Sequence, residues 1–455
     1  MASEFPPGPR APALVQLIQL GRDPFGFLRR AHRQCGDVFT VNLPSFPPAV
    51  YVAEPELVKQ VFGGDARVFH AGEANASVLE PVVGPDSVLT LDEHEHMRQR
   101  KLLLPPFHGD AVRRYGEVIR DITDREIETW PVGEPFALRD RTQRITLDVM
   151  LRAVFGVRDS ARFTKAQVLV DEFVKRTHSI VMLPAMRRRF GRFSPMVRFE
   201  RARDALDDFI YEEIASRRGE TNADRDDVLS LLLRATHEDG APMSERELRD
   251  ELVTVIGAGH ETTATGLAWA VERLVRNPRV LASARESIAA GEDEYLDAVV
   301  KETLRSRPVL SDVARKLTAP TEIGGYTLPA GTLVLPAILV IHHREDLYPD
   351  PLEFRPERFL EGQGGGFNWI PFGGGVRRCI GAAFAQYEMR IVLRAILSRT
   401  DLRAADPRPE RMRLRNITMA PDHGARVVLS QPVAPAAELD AGEALAHASR
   451  APERV

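Results

Sequence analysis

The chain has 455 residues, 44% hydrophobic and 28% charged, the balance of a globular enzyme rather than of a disordered or fibrous chain. Lysine and arginine total 61 against 65 for aspartate and glutamate; the net charge of -4 leaves no basic footprint for nucleic acid. The two cysteines, Cys35 and Cys379, are too few for a disulfide scaffold and suit a reducing cytosol, so a cytoplasmic location is expected.

In chain order, the apolar run Ala13 to Leu20 is broken by Gln16 and Gln19. It falls short of the ~20 apolar residues a bilayer span needs, and no signal-peptide pattern surrounds it. A soluble chain without a membrane anchor is expected. DVFTVNLPSFPPAVYVAEP, from Asp37, reads as two short strands around a Pro-rich turn, with Cys35 a packing residue at its start. Helical patterns dominate from His96 to Arg305. Within them, MRRRFGR (Met186 to Arg192) reads as a solvated face, with a membrane-surface or lid element as the alternative.

The longest helix follows Pro242. Ser244 and Glu247 form an S-x-x-E capping box, and Pro278 lies just beyond its end. Its middle, VTVIGAGHETTATG, holds Gly257, Gly259, Thr262, Thr263 and Thr265, all weak helix formers. Two readings stand: a close helix crossing over small residues, or a helix that opens beside a ligand, using Glu261 and a threonine hydroxyl. KLTAPTEIGGYTLPAGTLVLP then reads as strands with Gly324-Gly325 as a hairpin turn, and ARVVLSQ from Ala425 as the last strand. No repeat or long linker divides the chain, so residues 1–431 are expected to form one domain, with 432–455 a mobile Ala-, Glu- and Pro-rich tail.

The stretch FNWIPFGGGVRRCIGAAFAQYEMRIVLRAIL carries the chemistry. Gly373 to Gly375 allow a close backbone approach, and Cys379 sits between two arginines and a helix opening at Gly381. A lone cysteine is usually a small buried hydrophobe, but adjacent guanidinium groups and a helix N-terminus favour thiolate. A phosphate cradle is disfavoured: there is no G-x-x-x-x-G-K-[ST], and Arg378 stands where G-x-G-x-x-G needs its third glycine.

FGGGVRRCIG, Phe372 to Gly381, resembles the F-x-x-G-x-R-x-C-x-G signature of the cytochrome P-450 superfamily, in its soluble bacterial type. AGHETT (Ala258 to Thr263), ETLR (Glu302 to Arg305), PERF (Pro356 to Phe359) and HMRQR (His96 to Arg100) resemble further motifs of that family, and the likeness extends to about residue 430. The resemblance implies a mainly α fold with smaller β regions (α+β). Haem b would lie between the long central helix and the cysteine loop. Cys379 would ligate iron, Phe372 would pack by the sulfur, and His96, Arg100, Arg315 and Arg377 would meet the propionates, with Ala258, Gly259 and Gly381 also at the cofactor. Glu302, Arg305 and Arg358 would form a structural triad. As a bland alternative, Glu302 and Arg305 are a surface i,i+3 pair. His94 with His96, and His342 with His343, lack a third ligand for zinc.

By the same resemblance, the activity is a monooxygenase reaction that inserts one atom of O2 into a C–H or C=C bond, the other leaving as water. Glu261 and Thr262 would form the acid–alcohol proton relay. The segment after Cys379 is short for a fused flavin reductase, so electrons from NAD(P)H are expected through a separate ferredoxin and its reductase. Docking is expected around Arg377, Arg378, Arg98 and Lys101. A monomer is expected. The expected pocket walls are SVLEPVVGPDSVL (read as a loop), Val255, Ala258, Val309 to Val313 and Ile417 to Met419, Thr418 included. They suit a fatty acid, terpenoid, steroid or polyketide such as a macrolide; Asp312, within that set, could instead face solvent.

Overall fold

The computed structural model describes residues 5–433, except 45, 158, 183, 190 and 220–224; the expected tail lies outside the described residues from 434 onward. The molecule is organised around the helix Glu245–Val275, whose 31 residues span ~46 Å at about 1.5 Å each. Its start is the capping box read from sequence: Glu247 N–H donates to Ser244 Oγ at 3.2 Å, and Ser244 N–H to Glu247 Oε2 at 2.8 Å. It ends before Pro278, which begins the next helix, Pro278–Ala289. Leu248, Leu252, Ile256, Leu267 and Trp269 are buried along it. Each such side chain contributes roughly 1.5–3 kcal/mol of apolar burial. Trp269 Nε1 also donates to Met419 O at 2.7 Å, so burying the indole strands no donor.

The central helix packs most extensively on the helix Leu138–Phe155. Thr142 Oγ1 donates to Ala264 O at 2.9 Å and Thr146 Oγ1 to His260 O at 3.0 Å across that crossing. A Cβ on Gly259 would lie 2.6 Å from Met150 Sδ. Close approach therefore accounts for Gly259, and the helix runs unbroken through the GAGHETT segment, so the expectation of local opening is not met.

A five-stranded sheet flanks the helical body in the order Val38–Val41, Ala49–Val52, Leu333–Pro336, Arg315–Leu317, Phe69–His70. The first pair is antiparallel, as the Pro-rich turn predicts, but Ala49–Val52 pairs in parallel with Leu333–Pro336. A parallel pair needs a crossover, and most of the helical body supplies it. Gly324 and Gly325, at φ 59° and 82°, close the hairpin Thr321–Ile323/Tyr326–Leu328. The final strand, Arg426–Leu429, is held between Pro135–Ala137 and Leu402–Ala404.

One loop reading is corrected. Ser77 to Val83, expected as loop, is the end of the helix Ala71–Val83, with Pro81 inside it. Proline removes the N–H that would bond Ser77 O. Arg187 Nη1 donates to that carbonyl instead, at 2.7 Å. At least one arginine of the MRRRFGR run thus mends a helix rather than facing only solvent. Cys35 is half-buried against the sheet-side cluster. Among the described residues, no helix is long and apolar enough to cross a membrane.

Candidate active site

Between Phe372 and the helix Ala382–Arg399 the chain folds into a tight loop, closed where Cys379 N–H donates to Phe372 O at 3.0 Å. Its glycines are required: Gly375 has φ 63°, and a Cβ there would sit 2.0 Å from Phe62 O. The loop can therefore press directly on the helix Pro55–Gly63. The Phe372 ring meets Trp369 edge-on at 6.0 Å. Cys379 itself keeps an accessible side chain at the head of the following helix. Burial among neighbouring residues pushes its thiol pKa up, against the Gly381 N–H, Arg100 and Arg378, which pull it down. Flanking arginines and the helix start thus do not by themselves yield a thiolate. A metal cation does so, since a coordinating thiol is deprotonated outright.

Beside the cysteine stand four basic side chains from three parts of the chain. His96 and Arg100 lie one turn apart on the helix Glu93–Leu103, Arg315 opens a strand of the large sheet, and Arg377 ends the short turn Gly375–Arg377. Burial, then Arg377, Arg100 and Arg315, depresses the His96 pKa to about 3. Burial and the proximity of Arg377 bring Arg315 down to about 10; burial does the same for Arg377, in spite of Asp92. Arg377 bonds to Asp92 and Leu91 O, and to Val88 O at 3.0 Å. Arg315 donates to its neighbour's carbonyl, Ala314 O, and lies over the Phe62 ring. One carboxylate, Asp92, thus faces a partly buried group of three arginines and a histidine. Surplus buried cations call for an anionic partner. A haem, with two propionates to meet the arginines and an iron to meet a thiolate, fits this donor set.

On the central helix, Ala258 is exposed, and Val255, Gly259 and Thr262 are half-buried, in a helix otherwise mostly buried. Their i, i+3, i+4, i+7 spacing puts them on one face. Thr262 Oγ1 donates back to Ala258 O at 2.6 Å. Glu261 has other partners: Arg139 Nη2 at 3.0 Å, Asn416 Nδ2 at 2.9 Å and Thr418 Oγ1 at 3.3 Å. The expected pair is therefore not joined by a hydrogen bond. Successive residues point about 100° apart on a helix, and the buried Arg139 guanidinium claims the carboxylate. Thr418, expected as a pocket wall, is tied into that network.

Met419 N–H donates to Val309 O at 2.7 Å, which brings two expected pocket walls together. Val309 and Val313 are half-buried, and Ile417, at the tip of the hairpin Met412–Arg415/Thr418–Pro421, is 43% exposed. Asp312 is not turned to bulk solvent; Tyr51 and Ser311 hold it.

Glu302 and Arg305, expected at minimum as a surface pair, are both fully buried. Arg305 grips Glu302 through two bonds of 2.7 Å and Arg358 Nε stands 3.7 Å away. Arg305 Nη1 also donates to His342 O, and His342 Nε2 accepts the Ile370 N–H at 2.9 Å, which links the network to the start of the cysteine loop. His342 is thereby a structural acceptor. Asp92 and Arg139 were not singled out from sequence. Asp92 carried a weak signal, as the residue before the helix of His96. Arg139 carried none, because its partner lies 122 positions away.

The cytochrome P450 family profile matches residues 6–425. The protein named cytochrome P450 135B1 of Mycobacterium tuberculosis is 43% identical over 434 residues, covering 93% of this chain and 91% of its own. Cytochrome P450 135A1 of the same species is 39% identical, covering 94% and 96%. Two solved structures share the fold: a retinoic acid-bound cyanobacterial CYP120A1 (TM-score 0.81, 24% identity, 93% of this chain and 99% of that one) and a cytochrome P450DA heme domain (TM-score 0.82, 22% identity, 94% and 97%). The chain belongs to the cytochrome P450 family. It is a haem-dependent monooxygenase, an oxidoreductase that takes electrons from an external donor and acts on a hydrophobic substrate.

Proposed function

We propose that Cys379 is the axial ligand of the haem iron and that His96, Arg100, Arg315 and Arg377 hold the propionates, with Phe372, Ala258, Gly259 and Gly381 bordering the cofactor. The observation that carries this reading is the surplus of buried arginine charge beside an accessible cysteine at a helix start. A thiolate-bound haem supplies the push that cleaves O–O bonds. The protein's part is to hold substrate against it and to deliver protons. Thr262 carries a hydroxyl on the accessible helix face, and its bond to Ala258 O sets where that hydroxyl sits. Glu261, held by Arg139, serves as the fixed acid behind it. Val255, Val309 and Val313 offer apolar walls for hydroxylation or epoxidation of a fatty acid, terpenoid, steroid or polyketide. Electrons reach it from NAD(P)H through ferredoxin reductase and ferredoxin, onto the side that carries Arg378. The protein acts as a monomer in the cytoplasm.

The test is the absorption of the reduced, carbon monoxide-treated protein. The red-shifted Soret band of a thiolate-bound iron is expected, and Cys379→Ser should abolish it; a serine variant that kept the band would overturn the assignment. Thr262→Ala should go on consuming electrons while forming less product.

A further inference from the structure

Among the apolar residues of the segment Val309–Ala314 stands one acid. Asp312 Oδ2 accepts from Ser311 Oγ at 2.7 Å and from Tyr51 OH at 3.3 Å. Tyr51 is 4% exposed, stacked on Phe39 at 5.3 Å and 7°, and its strand is paired on both sides. The hydroxyl that aims Asp312 is therefore itself rigidly placed. Both donors converge on one oxygen, and Oδ1 has no hydrogen-bond partner among the described residues.

Most buried carboxylates here have a cation: Glu261 has Arg139, Glu302 has Arg305, Asp250 has Arg249 and Glu272 has Arg273. Asp312 has no ion pair among the described residues, and burial raises its pKa with only the two hydroxyls opposing. Glu251 and Glu388 also lack a cation among the described residues, but both are sealed at 0% exposure. Asp312 differs in keeping accessible surface, flanked by half-buried Leu310, Val313 and Ala314. Its segment runs from Val309, bonded to Met419, to Arg315 in the basic group, so Asp312 stands on the stretch of chain that joins those two landmarks.

We infer that Asp312 is a specificity-determining residue whose Oδ1 anchors the protonated amine of an otherwise apolar substrate, with Tyr51 and Ser311 as positioning residues. An alkylammonium supplies both the N–H donor and the charge that the site lacks, and charge-assisted bonds are about twice as strong as neutral ones. An alcohol supplies the donor alone, and a carboxylate is repelled. This inference rests on reading the space beside the haem site as the substrate pocket.

The experiment titrates the haem-loaded protein with three probes of one chain length, N,N-dimethyldodecylamine, dodecan-1-ol and dodecanoate. Binding is read from the haem spin-state shift and independently by calorimetry. The wild type should bind the amine about tenfold more tightly than the alcohol, and dodecanoate least. Asp312→Asn, which preserves an acceptor for Ser311 and Tyr51, should lose about tenfold for the amine and leave the alcohol within about twofold. Equal amine affinity in variant and wild type, or a wild-type preference for dodecanoate, overturns the inference. The wild-type ranking does not depend on how any variant folds. An intact reduced carbon monoxide band with no amine preference removes the role of Asp312 alone. A missing band removes the haem-ligand reading and this inference with it.

Discussion

Two arginine-rich groups in this protein follow opposite rules. Around Glu302, two buried arginines share one carboxylate, and Arg305 spends its remaining donors on the carbonyls of His342, Pro351 and Glu353. Around Cys379, three arginines and a histidine face one carboxylate among the described residues, Asp92, and burial and mutual repulsion depress His96, Arg315 and Arg377. In the first group Arg305 is satisfied within the chain and links the helix Glu294–Ser306 to the cysteine loop, while Arg358 stands 3.7 Å from Glu302 with Nε and Nη1 buried without a hydrogen bond among the described residues. The second is left with more positive charge than the chain answers. Composition would class them alike; charge balance separates a structural tie from a place for an anionic ligand.

That contrast can be broken at its strongest point. Glu302→Ala leaves Arg305 and Arg358 buried without their counter-charge and should destabilise the protein by about 3–5 kcal/mol, read from the urea midpoint. A loss below about 1 kcal/mol would mean that the backbone carbonyls alone satisfy the arginines.

Arg315→Met should move stability the other way. It retains an apolar stem over Phe62 and removes one of the surplus charges, so the haem-free protein should gain on the order of 1 kcal/mol. Haem transfer to an acceptor apoprotein should become about tenfold faster. Slower melting together with unchanged haem retention would show that Arg315 does not meet a propionate.

The smallest effect is in pH dependence. His96 is held neutral, with a pKa of about 3 against the usual 6.5. The unfolded chain therefore binds the proton first. The stability tied to neutral His96 is complete above about pH 6.5 and is lost as pH falls toward about 3, by at most ~1.4 kcal/mol per pH unit. Between about pH 6.5 and 4, haem-free His96→Asn should lose less stability than the wild type. Parallel curves would place His96 in contact with solvent water.

Local patterns in the chain anticipated much of this. The capping box at Ser244 and Glu247 and the Gly324-Gly325 hairpin depend on neighbours within a few residues, and they formed as read; the strand after Ala425 also formed as read, though its partners are distant in sequence. The tripeptide Gly373 to Gly375 announced a close approach without saying to what; the answer, Phe62, lies some three hundred positions away. Ser77 to Val83 misled because a proline ordinarily ends a helix, and Arg187 mends the broken bond from a distant segment.

The cysteine loop, the capped central helix and the order of motifs along the chain were matters of sequence, because each is encoded by residue types at short, fixed spacing. Tertiary structure alone decided that Glu261 faces Arg139, that Asp92 answers Arg377, and that Tyr51 leaves one oxygen of Asp312 free. The reason is electrostatic: which charges end up matched depends on which segments are brought together and how deeply they are buried, and neither is written in the spacing of nearby residues.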